Sequence, residues 1–151
     1  MDENFIERLC GASTPQSLDV ISNLWYNGNA SYRSQIHYDD SRYHGLNFHS
    51  VFYRGTVEFR YFVGSLHAGK IKSYIQLCLA LGAKAINSRG AKAKKRTFNP
   101  NNPKYAFRVF LIQLGLNGPE FKTLRVHLMN HLSGNASYAG DRPAYRPLVA
   151  A

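Results

Sequence analysis

Glu58 and Arg60 stand two apart in the segment GTVEFRYF, so an extended chain puts a carboxylate and a guanidinium on one face. Reading 46–63 as a β-hairpin, with Arg54-Gly55 as its two-residue turn, adds two more polar groups to that face. Tyr53 then pairs with Thr56, Val51 with Glu58, His49 with Arg60 and Asn47 with Phe62, which makes Asn47, His49, Glu58 and Arg60 neighbours. Val57, Phe59, Tyr61 and Val63 fall on the other side and read as core. A face of this kind can hold a metal-bound phosphate, the acid binding the cation and the arginine neutralising phosphoryl oxygens. The plain alternative is a solvated sheet face, because antiparallel sheets commonly pack only one side.

The words SRYHGLN at 41–47 and GTVEFRYF at 55–62 resemble the RY..LN and GT(V/I)EFR signatures of the amidoligase family, a branch of the glutamine synthetase-like carboxylate–amine ligases. That resemblance implies that Glu58 ligates a divalent cation and that Arg60 contacts ATP phosphate. Arg42 and Asn47 come from the first signature as further nucleotide-binding residues. LWYNGN at 24–29 and the segment 102–134 are similar to parts of amidoligase C-terminal halves. Relatives of this kind carry an earlier half with an E-x-E strand and further acidic and histidine ligands, and no E-x-E occurs in this chain. The upstream acids Asp2, Glu3, Glu7, Asp19, Asp39 and Asp40 do not alternate as a strand-borne pair. The expectation is one truncated amidoligase-like domain over 1–151.

The elements that must position this face are read from periodicity. Asn4–Cys10 reads as a short helix stopped by Gly11, and Thr14-Pro15 as the start of a second helix with Leu18, Ile21 and Trp25 along one side. Residues 30–40 read as a loop with a short edge strand. Ile71, Ile75, Cys78, Gly82 and Ala85 recur at helical spacing, so 67–87 is predicted as the longest helix, with that stripe as core and the sheet beneath it. Tyr105–Leu116 and Pro119–Leu132 are predicted as a helical pair joined at Asn117-Gly118. Phe107, Phe110, Leu111 and Leu114 face inward from the first, Phe121, Leu124, Leu128 and Leu132 from the second, and Gly134 caps the end. The tail 135–151 reads as extended or mobile. The fold class is α+β: a small antiparallel sheet, a covering helix and a C-terminal helical pair.

With 44% hydrophobic and 13% aromatic residues, 151 positions are enough for one core. No apolar run is long enough to span a membrane and no secretory leader is present, so the expectation is a cytoplasmic protein with no membrane partner. Cys10 and Cys78 have no ligand or disulfide spacing, and Cys78 reads as a small core residue. Charge is lopsided. Residues 1–40 hold two basic and six acidic side chains, whereas 41–151 hold seventeen and three, within a total of +10. Arg89, Lys92, Lys94, Lys95 and Arg96 crowd one polar stretch that reads as an exposed loop over 89–103. Such a field favours polyanions or an acidic protein surface. Lys122, Arg125 and His127 would lie together if the helical pair served as a helix-turn-helix. His127 and His131 have the four-residue spacing of two zinc-binding imidazoles, but no Glu or Cys accompanies them.

These readings lead to two functions. In the first, the chain is a non-catalytic amidoligase derivative that binds an acidic or nucleic-acid-containing partner through Arg89, Lys92, Lys94, Lys95, Arg96, Lys122 and Arg125. A phage or mobile-element inhibitor of a guide-bound CRISPR nuclease is its narrowest form, and no cofactor is expected. In the second, it is an ATP-dependent carboxylate–amine ligase completed by another chain or by oligomerisation. Mg-ATP is then the cofactor, with Glu58 on Mg²⁺ and Arg42, Arg60 and Arg54 on phosphates. A simple nucleic-acid-binding domain is a further alternative.

Overall fold

The computed structural model describes residues 3–10, 17–90, 92, 94 and 96–140. It is α+β, mostly helical, with one two-stranded antiparallel sheet. The chain divides into two compact units, Met1–Gly64 with Ser88–Lys94, and Ser65–Asn87 with Lys95–Ala151.

Aromatic side chains build the first unit. Helix α1 (Glu3–Cys10) brings in Phe5, and α2 (Leu18–Trp25) leads to Trp25 and Tyr26. Phe5 meets Trp25 edge to face at 5.3 Å, and Phe48 and Phe52 pack against the same cluster. Ser17 caps α2, its Oγ accepting from Val20 N. The expected Gly11 stop and Thr14-Pro15 start lie outside the described residues. Leu18, expected on the buried side, is exposed, whereas Ile21 packs on the core and Trp25 is within it. The expected edge strand in 30–40 is replaced by α3 (Ala30–Arg33) and by a 3₁₀ helix at Asp40–Tyr43.

The predicted hairpin is the main correction. Strands β1 (Leu46–Asn47) and β2 (Glu58–Phe59) do pair, but Leu46 faces Phe59 and Asn47 faces Glu58, not Phe62. Between them His49–Arg54 forms helix α4, so His49 does not pair with Arg60, Val51 with Glu58, or Tyr53 with Thr56. Gly55 is left-handed at φ 72°, and the amides of Gly55 and Thr56 return to the carbonyls of Val51 and Ser50. A positive-φ glycine serves a hairpin turn and a helix C-terminus equally well, which is why the signal misled. The supposed core side is open too, with Val63 82% exposed and Val57 and Tyr61 also exposed.

In the second unit, α5 (Ala68–Asn87) packs on α7 (Lys122–Met129), and α6 (Pro103–Gln113) joins α7 through a 3₁₀ turn at Pro119–Phe121. Both C-terminal helices are shorter than predicted. The buried face of α5 is Ser73 and Leu77, not the Ile71–Ile75 stripe, of which Ile75 is 55% exposed. Small residues permit the close approach: a Cβ on Gly69 would sit 2.6 Å from His127 Nε2, and Ser73 Oγ donates to Gly69 O at 2.6 Å. Leu111 and Leu124 are fully buried, Phe110 is exposed and Cys78 is half-buried. Because α7 ends at Met129, Gly134 does not cap it; Gly134 instead sits at φ 94° against Asn102. The tail positions 135–140 are tied by bonds to Asn102 and Arg108, and 141–151 lie outside the described residues.

Candidate functional site

Asn47 organises a polar cleft of about 460 Å³ in the first unit, walled by Arg42, His49, Ser50, Arg54 and Glu58 among others. Its buried amide donates to Glu58 Oε2 at 2.5 Å and to Ser50 Oγ at 3.0 Å. Its Oδ1 accepts from Ser50 N, three residues on, as a helix-capping side chain does. Ser50 Oγ donates in turn to Glu58 Oε2 at 3.1 Å. Glu58 Oε1 faces Arg60 Nη1 at 3.4 Å. The Asn47 bond, supported by Ser50 and by the charges of Arg60 and Arg42, outweighs burial and holds the Glu58 carboxyl below its ordinary range. Glu58 is therefore an oriented anion with one oxygen anchored and the other toward a guanidinium.

Arg60 and Arg42 act on Glu58 by charge, and Arg54 walls the same cleft. Arg42 lies 5.0 Å from the Tyr38 ring centroid and 5.7 Å from that of Tyr43, and Arg60 lies 5.3 Å from Tyr43. Arg54 contacts His37 Nε2 at 2.9 Å. The 3₁₀ helix that carries Arg42 is fixed by Asp39, whose carboxylate takes a two-point bond from Arg33 at 2.7 and 2.8 Å and a third from Ser41 N at 2.9 Å. Ser41 Oγ accepts from Trp25 Nε1 at 2.9 Å, which ties the same turn to the aromatic core.

The structure thus brings Asn47, Glu58 and Arg60 together by a route other than the predicted hairpin, and Arg42, named through the first signature, lines the same cleft. His49 also walls the cleft, but from a helix, with its Nδ1 bonded to Tyr26. Ser50 and Tyr53 were missed. Their signal was present in the Asn-x-x-Ser spacing of 47–50, which marks a capped helix start, and in the four-residue spacing of Phe48 and Phe52.

The cationic residues fall elsewhere. Arg89, Lys92, Lys94 and Arg96 are exposed in a segment without helix or strand, and Lys95 lies outside the described residues. Arg96 Nη1 donates to Gln113 Oε1 at 2.9 Å. Lys122 is exposed, whereas Arg125 is half-buried and donates to the carbonyls of Leu116 and Gly118 at 3.1 and 2.8 Å, bracing the link between α6 and α7. His127 packs edge-on to His67 at 4.8 Å, and His131 lies beyond the end of α7. Among the described residues no three His, Cys, Asp or Glu side chains form a metal-binding group. Replacing Lys92, Lys94, Lys95 and Arg96 together by alanine is expected to change thermal stability by about 0.5 kcal/mol or less, since exposed charges contribute little to folding. Differential scanning fluorimetry checks this, and a large loss would show that the segment is structural.

The family model described as "Putative amidoligase enzyme" matches residues 1–82, more than half of the chain and all of the cleft. The chain belongs to the amidoligase family. The matched span ends within α5, so the amidoligase signatures and the residues that converge at Glu58 lie inside it, and the similar-looking segment 102–134 lies outside. No curated protein and no solved structure matches the chain. Among the described residues no helix of the chain is long and apolar enough to cross a membrane.

Proposed function

We propose that the cleft binds the phosphates of a magnesium–nucleotide and is the nucleotide-holding part of a carboxylate–amine ligase site. The observation that carries this reading is the convergence of Arg42 and Arg60 on an ionised Glu58 held in place by Asn47 and Ser50. The donor set suits Mg²⁺ bridged to phosphate, which uses one or two carboxylates plus substrate oxygens, and does not suit a bare cation. When bound, Mg²⁺ supplies charge neutralisation at phosphoryl oxygen. Glu58 would hold the cation, while Asn47 and Ser50 prevent the carboxylate from rotating. Arg60 and Arg42 hold phosphate oxygens, and Arg54 extends the cationic wall. Activation of a carboxylate by phosphoryl transfer also needs neutralisation from further directions, and Glu58 is the one carboxylate in this wall. Turnover in this reading requires acidic groups from outside this cleft, so these 151 residues alone bind nucleotide without releasing ADP.

Isothermal titration with Mg-ATP tests this, paired with an ADP-release assay across candidate amines. Wild-type binding is expected, weakened about tenfold or more by Arg60→Ala and by Glu58→Gln, with no heat from Mg²⁺ alone. Equal affinity in Arg60→Ala would remove the cleft as the nucleotide site. ADP release that depends on Glu58 would show instead a complete ligase in one chain.

The exposure of Arg89, Lys92 and Lys94 favours a second reading, in which the protein acts by binding and these cations meet an acidic or nucleic-acid partner, a guide-bound nuclease being the narrowest version. Salt-sensitive capture of such a complex, lost in the alanine quadruple variant, separates this reading from the first.

A further inference from the structure

Tyr26 and His49 form a buried pair, 0% and 3% exposed, and His49 walls the cleft. Tyr26 Oη lies 2.5 Å from His49 Nδ1, and His49 Nε2 is buried without a hydrogen-bond partner. Two arrangements of the proton are open to this pair. If Nδ1–H donated to the phenol, the Tyr26 O–H would lack an acceptor and Nε2 would lack a donor. If Tyr26 donates to Nδ1, one group alone is left unanswered, the Nε2–H. Burial pushes the Tyr26 hydroxyl up to about 12, with Asp39 adding to and Arg33 opposing that effect, so the phenol keeps its proton and can donate it in a hydrogen bond. The pair therefore presents a fixed N–H donor on a residue that walls the same cleft as Glu58 and Arg42.

Buried donors are nearly always paired, and an orphan in a native structure calls for a partner. The polar groups nearest Glu58 are bonded within the protein, Asn47 to Glu58 and Ser50, Ser50 to Glu58 and Arg60 to Glu58, whereas His49 Nε2 is a buried side-chain atom of this cleft's lining residues left without a partner. Tyr53, stacked on the His49 ring at 5.7 Å and 19°, and on His37 at 5.2 Å and 17°, keeps the imidazole plane from turning. We infer that His49 is a ligand-binding residue whose Nε2–H donates to an anionic oxygen of the cleft's occupant, with Tyr26 as the positioning residue that fixes its tautomer. This deepens the proposed nucleotide reading, on which it rests for the identity of the occupant. Its own claim is narrower: a phosphoryl or carboxylate oxygen completes the bond.

Heteronuclear NMR on protein labelled with ¹⁵N-histidine tests the inference in the whole chain. In the free protein His49 is expected as the Nε2–H tautomer, and saturation with Mg-ATP, inorganic phosphate or glutamate is expected to shift its Nε2 and Hε2 signals. The first two probes distinguish phosphoryl oxygen from the carboxylate of the third. Tyr26→Phe should convert His49 to a tautomer mixture, a change that loss of packing alone does not produce. In titrations, His49→Asn keeps an acceptor near Tyr26 but removes the donor, so affinity should drop about tenfold, and His49→Gln, which places an amide N–H near Nε2, should recover most of it. An Nε2 signal unmoved by all three anions, or already bonded to a fixed water and unchanged by them, overturns the inference, as does wild-type affinity in His49→Asn. If His49→Asn does not fold, the wild-type NMR titration decides alone. A His49 response to glutamate without any Mg-ATP binding would sink the nucleotide reading and leave the role of His49 standing.

Discussion

Asn102→Ala is expected to remove about 3 kcal/mol from the stability of the second unit, roughly 10–20 °C in its melting temperature. One buried amide makes four bonds there. Its Oδ1 accepts from Tyr105 N at 3.3 Å, capping α6, and from Asn135 N at 2.9 Å; its Nδ2 donates to Tyr138 O at 2.6 Å and Ala139 O at 3.5 Å. Loss of the cap costs about 1 kcal/mol, and backbone groups left without partners add about 1–3 kcal/mol. Asn102→Asp keeps both acceptor roles and loses the donor, so it should fall between. Gly134→Ala attacks the same junction from the other side, because a Cβ there would lie 2.9 Å from Asn102 Cα at a backbone angle that L-residues rarely adopt. Urea denaturation followed by far-ultraviolet circular dichroism gives the measurement. A change under about 0.5 kcal/mol for Asn102→Ala would mean that the 135–140 segment does not contribute to folding.

Asn102 also shows which parts of this fold were legible in the sequence. The helix itself was visible, but its start was placed at Tyr105 with 102–103 in the exposed loop, whereas it begins at Pro103 behind a buried Asn102 cap. Its bonds to 135–139 span more than thirty residues, and no local pattern announces them. The same division holds elsewhere. Helix α5 was visible from period alone, yet its buried side was misread: the apolar moment points to Ile71 and Ile75, while the contact with α7 is made by the small residues Gly69 and Ser73 together with Leu77. Hydrophobicity cannot report a close approach that depends on lacking a side chain. For α4, the β-branched and aromatic content of HSVFYR and the glycine after it fit a hairpin, and the tertiary cluster around Trp25 overrode that propensity by burying Phe48 and Phe52 on one helical side. The clustering of these side chains survived this error. Family wording located Arg42, Asn47, Glu58 and Arg60, and β1–β2 pairing of Asn47 with Glu58 makes the cluster whatever lies between. His49 was placed near Glu58 through a strand pairing that does not exist, and its bond to Tyr26 was not visible, because it joins residues twenty-three apart across the core.

The charge pattern was also redistributed by the fold. Split by unit, the first holds eight basic and seven acidic residues and the second eleven and two, so the excess belongs almost wholly to the second. The cationic lining around the cleft is thus a local arrangement of Arg42, Arg54 and Arg60, not a consequence of net charge. Local arrangement is what a buried carboxylate outside the cleft, Asp39, secures.

Asp39→Ala should therefore affect stability and binding together. Asp39 is 6% exposed, and its partner Arg33 has a side chain 32% exposed. Breaking a buried pair costs about 3–5 kcal/mol, but the arginine can recover some water here, so about 2–3 kcal/mol is the expected loss at neutral pH. Burial pushes the Asp39 carboxyl up, but bonds from Arg33 and Ser41 more than offset this and hold it below its ordinary range. A carboxyl depressed by folding binds fewer protons in the native than in the unfolded state, so its contribution is complete above the unfolded value of about 4 and is lost as pH falls through the lower native value. Wild type and Asp39→Ala should consequently differ fully at pH 7, begin to converge as pH falls below about 4, and converge only below the lower native value. Loss of the cap also frees the turn that carries Arg42, so Mg-ATP affinity should decline about tenfold in the folded variant, with Arg60 and Glu58 untouched. Urea titrations at pH 3 and pH 7, with calorimetry at pH 7, measure both effects. A stability gap that persists unchanged at the lower pH would show that Asp39 acts by packing and not as an anion, and an unaltered Mg-ATP affinity would show that Arg42 needs no fixed turn to reach the phosphates.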